Sequence, residues 1–137
     1  SASAGGRQLS RITLDRMTPT EAFTNFVHRC LIAAKRDRYA GLASTEKGRP
    51  KILNALCHEF ERAINPKSVR SRNYDNLWKQ PCFVFHTSHG FGAEFATVRE
   101  AYDALQSDDS WLILLTDGAA GIYRPESRWD DEKLIAG

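Results

Sequence analysis

The segment Trp111-Leu112-Ile113-Leu114-Leu115-Thr116 constrains this chain more than any other. It is the most apolar run in the sequence, and no polar residue alternates within its first five positions. Such a run predicts a central strand covered on both faces. The neighbouring segments predict the sheet around it. Cys82 to His86 reads as a strand, Ser88-His89-Gly90 as a turn, and Phe91 to Ala96 as the returning strand. Alternation in that strand places Phe91, Ala93 and Phe95 on one face and Glu94 on the other. Thr97-Val98-Arg99-Glu100 is a capping-box pattern, and Val98, Ala101, Tyr102 and Leu105 follow at helical spacing. Beyond the central strand, Asp117 to Gly121 form a hairpin loop and Ile122-Tyr123-Arg124 a last strand. Pro125 has no N–H to give a ladder, which predicts that this strand lies at an edge.

Two helices precede the sheet. Thr18-Pro19-Thr20-Glu21 starts the first, with a capping hydroxyl, a proline at the first helical position and a carboxylate three residues beyond the cap. Its stripe is Phe23, Phe26, Val27, Cys30, Leu31 and Ala34, and the positive charge at Lys35–Arg38 suits its C-terminal end. Tyr39 to Arg49 reads as a loop. Pro50 opens the second helix, with Ile52, Leu53, Leu56, Cys57, Phe60 and Ile64 as its stripe, and Asn65-Pro66 ends it. Lys67 to Gln80 reads as a long polar loop with one helical turn near Tyr74–Lys79. The expected fold is therefore α+β. A helical hairpin is joined to a β-β-α-β-β unit, which forms a mostly antiparallel four-stranded sheet with helices on one face. Residues 1–6 are expected to be a flexible tail or tag remnant, and residues 7–137 a single α+β domain.

The chain has 137 residues, enough for one domain with a sizeable core. No apolar run approaches the roughly 18 residues of a membrane span, so no membrane partner is expected. The three cysteines, Cys30, Cys57 and Cys82, are an odd number and fall on apolar faces. A reduced, cytoplasmic protein fits that usage better than a disulfide scaffold. Charge is unevenly spread. Residues 1–80 hold 15 Lys/Arg against 7 Asp/Glu, and residues 81–137 hold 4 against 10. The basic half points to a protein or nucleic-acid partner with an acidic surface, or to attraction between the two halves.

Motifs for chemistry are sparse. Cys82, His86 and His89 form a Cys-x3-His-x2-His array, but three ligands spread along a strand make a poor zinc site, so no metal and no cofactor is expected. Cys57-His58 is a poor nucleophile pair, because neighbours on a helix point apart. His86, His89, Glu94 and Asp117, near the hairpin ends, are the candidates for a hydrolase-type site. Candidate binding residues are the basic and aromatic positions Arg36, Arg38, Tyr39, Arg49, Arg70, Arg72, Tyr74 and Trp78. Lys and Arg neutralise phosphates, and exposed rings stack on bases. The isoelectric point near 8.5 is low for a nucleic-acid domain. The clusters at Lys35–Arg38 and Lys47–Lys51 also lie about 20 Å, by helical rise, from the one at Lys67–Lys79. The leading expectation is a small non-catalytic interaction protein, whether inhibitor, adaptor or accessory protein. Trp78, Tyr123 and Trp129 are its candidate hot-spot residues. A nucleic-acid binder using the basic half and a hydrolase are the alternatives. Pairing through an edge strand at Ile122–Arg124 leaves a homodimer open.

Overall fold

Five consecutive apolar residues from Trp111 to Leu115 form strand β4, and all five are buried. Their side chains divide between two cores. Leu112 and Leu114 enter one, and Trp111, Ile113 and Leu115 enter the other. This is the two-sided burial that an unbroken apolar strand requires. The structure is a computed structural model that describes residues 17–57, 59–106, 108–126 and 132–137. The expected tail at 1–6, His58 and Trp129 lie outside the described residues.

The sheet is antiparallel throughout, and the fold class is α+β. It has six strands, not the four expected from sequence. In chain order these are β1 (Val69–Arg70), β2 (Cys82–His86), β3 (Gly90–Phe95), β4, β5 (Ala120–Arg124) and β6 (Lys133–Ala136). Across the sheet the order is β1-β6-β5-β4-β2-β3. The two additional strands are short. β1 sits inside the segment that reads as a polar loop, and β6 holds Leu134 and Ile135 beyond the last expected strand. Because β6 pairs with β5, Ile122–Arg124 is interior, which removes that strand as a route to self-pairing. Pro125 follows the last residue of β5 and so costs the ladder no bond. The edges are β1 and β3.

The helical half is more broken than its stripes predict. α1 (Pro19–Cys30) begins with the expected capping box. The Glu21 backbone N–H donates to Thr18 Oγ1 at 3.1 Å, and the Thr18 N–H donates to Glu21 Oε1 at 2.8 Å. It stops at Leu31, and α2 (Ala33–Ala43) follows. The second expected helix is likewise split into α3 (Arg49–Ala55) and α4 (Phe60–Ala63). The break after α1 meets the end of α4. Leu31 pairs with Ile64 in an antiparallel bridge, the Ile32 N–H donates to Ala63 O at 2.8 Å, and the Asn65 N–H donates to Cys30 O at 2.8 Å. Hydrogen bonds between segments replace those that continuous helices would have made. Tyr39 and Ala43, expected in a loop, are buried on one face of α2.

Helices cover both faces of the sheet rather than one. Residues of α1 to α4 pack with Phe83, Phe85, Leu112, Leu114, Tyr123 and Ile135. On the other side α5 (Val98–Leu105) packs with Tyr74, Trp78, Cys82, Val84, Trp111 and Ile122. A bulge in β3 alters the expected alternation. Val84 pairs with Ala93 and Phe85 with Phe91, so Gly92 is the extra residue. Phe91 therefore faces α1, while Ala93 and Phe95 face α5. Gly92 has φ +85°, and a Cβ there would sit 2.2 Å from the Pro19 side chain, so only glycine fits.

Candidate functional site

The histidines and carboxylates expected at the hairpin ends are not brought together. His86 ends β2, is 7% exposed, and its Nδ1 accepts the Ser88 backbone N–H at 3.3 Å. The His89 ring is exposed, with its centroid 5.8 Å from that of His86 and 6.0 Å from Phe95. Asp117 lies beyond Leu115, which pairs with Cys82 at the far end of β2. Four residues of strand, about 13 Å, separate Cys82 from His86. Asp117 Oδ1 accepts the Ala119 N–H at 2.9 Å, and its carbonyl accepts Asn25 Nδ2 at 2.7 Å, so it closes a turn onto α1. Glu94 lies between Ala93 and Phe95, which both face α5, and so projects from the opposite face to His86. Among the described residues no group of three potential metal ligands assembles. Burial, with Glu100 adding to it, pushes the Cys82 thiol up to about 12. Burial likewise pushes the Cys30 thiol up to about 11.

The basic and aromatic candidates divide into groups held within the fold and groups at its surface. Tyr74 is 8% exposed and meets the half-buried Trp78 edge-on at 5.3 Å. The Arg99 guanidinium lies 4.3 Å above the Trp78 ring, so these two aromatics close the α5 core rather than stand free. Tyr123 is fully buried, and its hydroxyl donates to Leu56 O. Arg36 Nε donates to Leu31 O and Arg49 Nε to Ala43 O, both at 3.0 Å, satisfying carbonyls at the ends of α1 and α2. Arg70 is exposed on edge strand β1, and Arg72 lies 3.8 Å from Glu132.

Glu132 is a structural centre that no sequence pattern marks. Its carboxylate accepts the Tyr102 hydroxyl at 2.6 Å and the Tyr74 hydroxyl at 3.5 Å, with Arg124 at 3.7 Å. Burial alone would raise its pKa. The Tyr102 hydroxyl, a backbone hydrogen bond, Arg72 and Arg124 outweigh that and hold it below the ordinary carboxylate value. These contacts tie the start of β6 to the second core.

The arrangement best suited to binding is a cleft of about 240 Å³ between α2 and α4, lined by Lys35, Arg38, Tyr39, Glu59 and Arg62. Lys35, Arg38 and Tyr39 share one face of α2 at i, i+3 and i+4, and Glu59 and Arg62 are three apart at α4. The bridge from Leu31 to Ile64 joins the residues just before α2 to the end of α4. The Tyr39 ring meets Phe60 edge-on at 5.3 Å. Among the described residues its hydroxyl has no hydrogen-bond partner. Burial raises the Tyr39 pKa, Glu59 adds to the rise, and Arg38 opposes it. Lys35, Arg38, Glu59 and Arg62 are all exposed at the rim. The sequence points to Arg38 and Tyr39. It misses Glu59 and Arg62, which read as the polar side of an unbroken helix. Compared with known proteins, the chain matches no family model, no curated relative and no solved structure.

Proposed function

We propose that this chain is an interaction protein that recognises an acidic segment of a partner protein through the cleft between α2 and α4. One observation carries the reading. Lys35 and Arg38 of α2 and Arg62 of α4 line a single concave site together with Tyr39. Cations held together on rigid elements attract and orient an acidic partner better than cations scattered over a surface. The buried rings of Tyr39 and Tyr74 offer no exposed face for base stacking, which favours a protein over single-stranded nucleic acid.

The test is a pair of titrations at matched ionic strength, one with an oligoglutamate peptide and one with a single-stranded oligonucleotide. Oligoglutamate should bind more tightly, and Arg38→Glu with Arg62→Glu should weaken it by tenfold or more, as for reversal of paired interface charges. Preferential oligonucleotide binding with a steep salt slope would replace this reading with the nucleic-acid one.

A further inference from the structure

We infer that the cleft takes a phosphomonoester dianion, as carried by a phosphorylated serine of the partner. The inference rests on the cleft being the partner's docking point and specifies the group it receives. Charge separates the anion classes. Lys35, Arg38 and Arg62 against Glu59 leave the cleft with two net positive charges. A phosphomonoester carries about −1.5 to −2 at neutral pH, whereas a carboxylate carries one charge. Donors match as well. The phosphate presents three terminal oxygens, and the cleft is lined by three cationic side chains and by Tyr39, whose hydroxyl is a neutral donor.

That neutral donor is the Tyr39 hydroxyl. Tyr39 is only 2% exposed, and its hydroxyl is without a hydrogen-bond partner among the described residues. Among the described residues only Arg124 Nε is a buried side-chain polar atom without a partner, so the Tyr39 hydroxyl keeps contact with solvent at the cleft and can donate to an incoming oxygen. Burial and Glu59 keep the phenol protonated, so it donates at neutral pH. Glu59 also sets a limit. A carboxylate beside the site repels a second phosphate, so an isolated monoester suits the cleft better than a phosphodiester chain.

The experiment titrates the full, isotope-labelled chain with O-phosphoserine, glutamate and oligoglutamate at equal ionic strength, following backbone amides by NMR. Phosphoserine should shift the amides of 35–39 and 59–62 at about tenfold lower concentration than glutamate. Tyr39→Phe keeps the ring against Phe60 and should weaken phosphoserine by about three- to tenfold, and Arg38→Gln should weaken it further. Lowering the pH towards about 5 should weaken it too, as the phosphate becomes a monoanion. Equal affinity for glutamate and phosphoserine, or no effect of Tyr39→Phe, overturns the phosphomonoester assignment and leaves the acidic-partner reading standing. If oligoglutamate also fails to shift those amides, the underlying reading falls with it.

Discussion

Leu31 pairs with Ile64 across an antiparallel bridge, joining the end of α1 to the end of α4. Leu31 is fully buried and Ile64 is 6% exposed, so apolar packing reinforces the backbone contacts. The same pairing ties the break between α1 and α2 to the end of α4. The cleft is thus a consequence of how the core closes.

Truncating the bridge should therefore cost both stability and the site. Leu31→Ala should lower the unfolding free energy by about 2–5 kcal/mol, the range for a buried leucine. Urea denaturation measures this. A loss well under 1 kcal/mol would mean that the bridge does not organise the helical half.

The glycines separate space from backbone conformation. Gly92→Ala meets both a positive φ and the Pro19 side chain, and should destabilise by about 2 kcal/mol or more. Gly41, inside α2, has nothing within 4 Å of a Cβ, so Gly41→Ala should stabilise by about 0.5–1 kcal/mol. Thermal unfolding of the two variants should move in opposite directions.

Glu132 predicts a pH dependence with a definite sign. Its folded pKa lies below the ordinary value of 4.5, so the folded state favours the ionised form. That contribution is complete above the ordinary value and disappears as pH falls through the lowered folded value. Glu132→Gln should cost about 1–3 kcal/mol near neutral pH, and the gap from the parent should close in acid. Denaturation at neutral and at acid pH checks this, and a gap that widens in acid would contradict it.

Thiol reactivity should follow burial. Cys30 and Cys82 are fully buried with raised pKa values, and Cys57 is half-buried. An aromatic disulfide reagent should modify Cys57 in the native protein and reach the other two only after unfolding. Fast native labelling of Cys82 would show the β2 core to be open.

How far the fold was legible depended on signal length. The five-residue apolar strand β4 and the capping threonines Thr18 and Thr97 declare themselves, because an unbroken apolar run and a capping pattern are local properties. Val69–Arg70 and Lys133–Ala136 do not, since two- and four-residue strands carry too little alternation to stand out. The break at Leu31 arises from a partner 33 positions away, so it overrides a stripe that reads as one helix. Gly92 reads as a turn glycine, and only the register of β2 against β3 reveals a bulge. Arg38 and Tyr39 were visible in the cleft, but Arg62 joined them only through tertiary packing.

The central claim, that anion recognition is concentrated at the cleft between α2 and α4, is tested most directly by affinity for oligoglutamate in two matched variants. One carries Arg38→Gln with Arg62→Gln, and the other carries Lys67→Gln with Arg70→Gln on the 67–70 segment. The first should lose tenfold or more and the second about twofold or less, because an exposed cation without a site contributes little. Equal losses from both pairs would show that charge alone, and not the cleft, does the binding.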